Sequence, residues 1–181
     1  MSSGQVFTLL GAAVIVFWMV GAYNRLVRLR NDIGAAWAQI DKQLGRRAQA
    51  LPVLLAALRE PMGAEGPALD AVAAAQQHLQ SAADALRPGP VQADAATALA
   101  GASVRLDATL ARLLALLDQH PALREDAVVA KSLRELHDAD LRLAFARQLF
   151  NDAGLVYDRA ARQFPTRLLS RLYNFSAAGR L

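Results

Sequence analysis

The chain has 181 residues, no Cys, 20 Lys and Arg against 16 Asp and Glu, and a formal charge of +4. That length supports about one domain, and the lack of Cys excludes a disulfide framework, a thiolate metal site and a thiol nucleophile. Ala and Leu dominate, and Gly and Pro rarely interrupt the periodic segments, which favours helices throughout.

No charged side chain occurs before Arg25, and residues 6–22, VFTLLGAAVIVFWMVGA, are apolar apart from Thr8 and the glycines. At about 1.5 Å per residue this run, with its neutral flanks, is long enough to cross hydrocarbon. It predicts a transmembrane helix at residues 5–23, with Trp18 and Tyr23 at the interface. No basic stretch precedes the apolar run, so an uncleaved anchor is expected rather than a signal peptide. Arg25, Arg28 and Arg30 follow directly. The positive-inside rule then places a short N-terminus outside and the bulk of the chain in the cytoplasm.

Residues 24–164 read as the soluble domain, divided at PMGAEGP (61–67), RPGP (87–90), HP (120–121) and FP (164–165). Pro67, Pro90 and Pro121 each precede a periodic run, as suits the first position of a helix. The first segment carries Ile33, Trp37, Ile40, Leu44, Leu51, Leu54 and Leu58 at 3-4 spacing. Arg47 takes one position of that stripe, and Pro52 is expected to kink the helix. The second segment has Leu69, Val72, Gln76, Leu79, Ala83 and Leu86; the third has Leu99, Leu106, Leu110, Leu113 and Leu117. In the fourth, Val129, Leu136, Leu143, Phe150, Tyr157 and Phe164 recur every seven residues. An average spacing near 3.5 predicts left-handed, near-antiparallel packing. The fold class is therefore all-α: a transmembrane helix followed by an antiparallel up-down, coiled-coil-like four-helix bundle.

If Tyr23 and Phe164 share the membrane end, residues of the first and fourth helices face one another where their numbers sum to about 187. That register sets Arg47 opposite Asp140 and Asp41 near Arg147. Meeting opposite charges on apolar seams would fix register rather than add much stability. The remaining segment, residues 165–181, opens on Pro165. It places Leu168, Leu169, Leu172 and Phe175 on one helical face, with Arg167 and Arg171 off it, which predicts a short basic amphipathic helix lying in the membrane interface.

Charge is unevenly spread. Residues 23–59 carry seven basic and two acidic side chains, residues 60–158 eight and fourteen, and residues 159–181 five and none. An antiparallel arrangement brings both basic ends to the bilayer, where Arg25, Arg28, Arg30, Arg167 and Arg171 meet anionic headgroups. An acidic distal surface repels phosphates, so nucleic acid is not an expected partner.

Signals for catalysis are lacking. His78, His120 and His137 are isolated, and ELHDAD (135–140) is read as a solvated acidic face, since a di-metal bundle site needs Glu-x-x-His on facing helices and the sequence has none. No phosphate-binding loop, dinucleotide turn or nucleophile elbow occurs. No enzyme activity and no cofactor are expected.

Two stretches resemble the LemA family. The first, YNRLVRLRNDIGAAWAQIDKQLGRRAQALPVLL (23–55), follows the family's YN, LRN, AWAQID, RR and Pro pattern through Tyr23, Asn24, Arg30, Asn31, Trp37, Gln39, Asp41, Arg46, Arg47 and Pro52. The second, ARQLFNDAGLVYDRAARQFP (146–165), is similar to the family's closing run and ends on Phe164 and Pro165. Phe150 and Asp158 depart from its usual Tyr and Asn, and LYNF (172–175) replaces its usual ending. The resemblance implies a single-pass protein of the bacterial inner membrane, acting as a scaffold or adaptor without catalysis. It also implies a membrane-protein partner, of the kind carrying a TPM domain or a membrane metalloprotease, and is compatible with a homo-oligomer. The alternative expectation is a lipid-binding or membrane-remodelling protein acting on the bilayer itself.

Overall fold

Nothing between Ser3 and Gly45 stops a helix, and Ala, Leu, Arg and Gln keep the propensity high well beyond the apolar run. In the computed structural model, which describes residues 3–163 and 178–181, the apolar run and the first segment of the soluble domain form one helix, α1 (Ser3–Arg59). Its 57 residues extend for roughly 85 Å. Pro52 does not divide it: the proline lies on the exposed side of α1, and Leu51 and Leu54 beside it are both fully buried. A missing N–H on the outer face leaves its orphaned carbonyl within reach of water.

After α1 come a single 3-10 turn (Gly63–Glu65), α2 (Gly66–Leu86), α3 (Ala93–Leu117), α4 (Pro121–Glu125) and α5 (Ala127–Arg162), with no strand among the described residues. Pro67 sits in the first turn of α2, as its position before a periodic run predicts. Pro90 does not start α3, which begins three residues later behind Gln92 in an extended conformation; Pro90 belongs to the connecting turn. Pro121 starts only the five-residue α4. The last long helix instead begins at Asp126, whose Oδ1 accepts hydrogen bonds from Val128 N at 2.9 Å and Val129 N at 3.0 Å. An Asp immediately before an apolar run is a strong N-cap, which explains why the break falls there and not at the proline.

Each long helix buries its 3-4 stripe. α1 contributes Leu26, Ile33, Trp37, Ile40, Leu44, Leu51, Leu54 and Leu58; α3 contributes Ala96, Leu99, Leu106, Leu110, Leu113 and Leu117. On α5 the heptad residues Val129, Leu136, Leu143, Phe150 and Tyr157 are buried, with Ser132, Ala139 and Ala146 filling the intervening positions. Small residues alternating with large ones let facing helices approach closely. On α2 the stripe drifts by one position, so that Ala75 is buried and Gln76 only half-buried.

α1 packs most extensively on α5, and α2 on α3. The α1–α5 pair is antiparallel. Arg25 Nη1 donates to Gln163 Oε1 at 3.4 Å, the Trp37 and Phe150 rings meet edge to face with centroids 6.5 Å apart, and Arg47 contacts Asp140. In all three pairs the residue numbers sum to 187 or 188. The last four residues return along α5 toward the α2–α3 turn. Ala178 N donates to Asp158 Oδ1 at 2.9 Å, Gly179 N to Val91 O at 3.3 Å, and Leu181 exchanges two hydrogen bonds with the Asn151 amide.

Candidate functional site

The end of α1 that precedes the core is apolar and exposed. From Phe7 to Val20 its large side chains are exposed, Phe17 at 77%, and the buried stripe starts only at Leu26. A soluble protein rarely leaves so large a contiguous apolar surface open to water. The helix is long and apolar enough to cross a membrane. Arg25, Arg28 and Arg30 are exposed just where burial begins, beside exposed Tyr23, Asn24 and Asn31. The contact of Arg25 with Gln163 brings the end of α5, with exposed Arg159 and Arg162, to the same level. A collar of five exposed arginines thus marks the junction between the exposed apolar stretch of α1 and the packed one.

Deeper in, Arg47 lies on the buried stripe of α1 and is 1% exposed. Its Nη2 donates to Asp107 Oδ1 of α3 at 2.8 Å, and its Nε lies 3.1 Å from Asp140 Oδ1 of α5 without the alignment of a hydrogen bond. The two aspartates are about half exposed, at 50% and 43% of their side chains. One guanidinium therefore links three helices from inside, through carboxylates that are about half exposed, although the Asp140 oxygen that meets it is buried. Arg147 of α5 stands beside this group and donates to Ser103 Oγ of α3. Burial pushes the Asp140 carboxyl above its ordinary range; Arg47 opposes this, and the Asp107 carboxylate adds to it. Burial likewise lowers the Arg147 guanidinium.

Arg147 does not meet Asp41. Asp41 Oδ1 instead accepts from Nε and Nη2 of Arg87, at 3.1 and 2.9 Å, and Arg87 also pairs with Asp84. Helical geometry accounts for the difference. Asp140 and Arg147 are seven residues apart and share a stripe, but Asp41 is six residues from Arg47, about 240° round the cylinder at ~100° per residue. Asp41 thus faces the end of α2, where Arg87 follows the last turn.

The remaining motif residues divide by burial. Trp37 is buried against Phe150, whereas Gln39, Arg46 and Pro52 are exposed. Phe164, Pro165, Arg167, Leu168, Arg171 and Leu172 lie outside the described residues. Within ELHDAD, Glu135, His137 and Asp138 are exposed, and Asp140 turns toward Arg47. Among the described residues no group of three or more His, Asp or Glu could hold a metal ion. The small cavity between the long helices, lined in part by Ser103, Arg147 and Leu181, measures about 10 Å³, room for at most about one water. Asp107, Ser103 and Arg87 were not evident as partners from the sequence. Ser103 alone carries a signal, as a small polar residue on an otherwise leucine-rich seam.

No curated protein matches the chain. The model of the LemA family matches residues 36–180, which takes in Trp37, Gln39, Asp41, both Arg46 and Arg47, Pro52 and the closing run, and leaves Tyr23 to Asn31 before it. With four fifths of its length matched, the chain belongs to the LemA family.

Proposed function

We propose that the protein is a membrane-anchored scaffold or adaptor without catalytic activity, in which α1 crosses the bacterial inner membrane once and α1, α2, α3 and α5 form an antiparallel four-helix bundle in the cytoplasm. The observation that carries this reading is the change of character along α1. In its apolar half the large side chains from Phe7 to Val20 are exposed, its second half is a core helix, and the arginine collar marks the change. Arginines at that level are attracted to anionic headgroups by about 1 kcal/mol each, which also orients the bundle to the cytoplasmic side. A continuous helix across the junction holds the bundle at a set distance and angle from the bilayer, as suits presentation of a surface to another membrane protein. A TPM-domain protein or a membrane metalloprotease is the partner class the family resemblance suggests.

The test is purification of the full chain from membranes in mild detergent, followed by identification of co-purifying proteins. A stoichiometric partner is the expected result. Its absence, together with deformation of anionic liposomes by the pure protein, would replace the scaffold with a protein that acts on lipid directly.

A further inference from the structure

Beyond the membrane half of α1, exposed large apolar side chains concentrate on one element. Leu141, Phe145 and Leu149 of α5 follow one another at intervals of four, with Phe145 64% exposed, whereas the packed regions of α1 and α3 show only the scattered valines Val27, Val53 and Val104. Four-residue spacing on a helix makes one stripe. This stripe forms one wall of an open groove of about 610 Å³; the other wall is α1, with Gln39, Lys42 and Arg46. Arg142 completes the rim. Lys42, Arg46 and Arg142 are the titratable groups lining the groove, all three cationic and exposed. Among the described residues none of them makes an ion pair. Acidic groups enter only in the next hollow along the same helices, of about 270 Å³, where Glu135 and Asp138 face Arg46 and Arg142.

We infer that this groove is a docking site for an amphipathic helix of another protein, with apolar residues three and four apart and carboxylates flanking them. The inference rests on the scaffold reading and names its surface. Charge complementarity selects the partner. Three cations beside an apolar stripe, none in an ion pair among the described residues, favour an acidic helix and penalise a basic one, and the carboxylates of the next hollow favour a basic residue at that helix's end. A second copy of this chain fits poorly, because its own stripe arrives with the same three cations. Lipid is out of reach: Gln39 lies fourteen residues beyond Arg25, about 21 Å up the helix, whereas interfacial segments sit within roughly 10 Å of the acyl boundary. The stripe spans nine residues, about 12 Å end to end, which matches two turns of a docked helix laid against α5 and α1.

The experiment places a photoreactive phenylalanine analogue at position 145 of the full chain in membranes, cross-links by irradiation, and sequences the joined peptide by mass spectrometry. The same analogue at position 104, on α3 and 69% exposed, is the control. The expected product is a segment of a different protein with apolar residues at 3-4 spacing flanked by Asp or Glu. Its yield should fall roughly tenfold or more when Arg46→Glu and Arg142→Glu are introduced, while circular dichroism stays unchanged. Cross-links to a second copy, to lipid, or to a segment without carboxylates would overturn the inference, as would no cross-link or a yield insensitive to charge reversal. A stoichiometric partner that joins position 104 and not 145 would remove the groove and leave the scaffold; no partner at either position, and none on purification, would remove both.

Discussion

Arg47 of α1 and Asp140 of α5 meet at 3.1 Å, the arginine 1% exposed and the aspartate side chain 43% exposed. The asymmetry decides how the pair behaves when either side is changed. Removing Arg47 leaves two half-exposed carboxylates, of which Asp107 can be solvated by water and Asp140, raised by burial, can take up a proton. Removing both carboxylates strands a cation in the core, where a charge without a partner is costly. Arg47→Met, which keeps an unbranched side chain in the seam, is expected to change stability by no more than about 1 kcal/mol, and the double substitution Asp107→Asn with Asp140→Asn to cost about 3 kcal/mol or more. Urea unfolding of the full chain in detergent micelles measures both. Equal losses would mean that Arg47 reaches water and is not held by its partners.

The pH dependence follows from the direction of the Asp140 shift. Burial raises its carboxyl above the ordinary 3.8, more than Arg47 lowers it. A group whose folded value is raised favours the folded state below its unfolded value, and that contribution is lost as pH rises through the folded value. Compared with Asp140→Asn, the native chain should therefore gain relative stability as pH falls from 7 toward 4. Unfolding curves of the two proteins at both pH values check the sign. A gap that shrinks on acidification would show that the attraction of Arg47 dominates over burial.

Glycines in this chain divide by what a Cβ would meet. At Gly179 it would lie 2.4 Å from Ala96 Cβ and 3.0 Å from Ala93 Cα, both on α3, so the returning tail could not seat. Gly179→Ala should release residues 178–181, cost about 1–3 kcal/mol, and raise hydrogen exchange at Ala178 and Leu181, whose amides bond to Asp158 and Asn151. Gly101 on α3 meets nothing within 4 Å, and Gly101→Ala should stabilise by about 0.4–1 kcal/mol. Substitutions of one kind with opposite signs separate close packing from helix propensity.

Asp126 holds two amides at the start of α5. Asp126→Ala should cost about 1 kcal/mol, and Asp126→Asn much less, because the amide oxygen can still accept both hydrogen bonds. Thermal unfolding of the two variants gives the comparison. Equal loss in both would assign the effect to the negative charge at the helix start and not to the cap.

The linear order of residues determined which segments form the long helices, which face of α1, α3 and α5 is buried, and the register of α1 on α5. These depend on local propensity and on the period of apolar side chains, both written along the chain: Ile33 to Leu58 and Val129 to Tyr157 need no partner to be recognised as stripes. The order also marks the unbroken apolar run ahead of Arg25. Tertiary structure alone decided that Arg47 holds Asp107 as well as Asp140, that Asp41 belongs to Arg87, and that the chain's end returns to Asn151 and Asp158. Each depends on the angular position of a third helix or of a returning segment, and the spacing within one helix says nothing about it. Side chains as long as arginine reach across that freedom to whichever carboxylate the packing brings near, so charge partners are fixed only once the helices are in place.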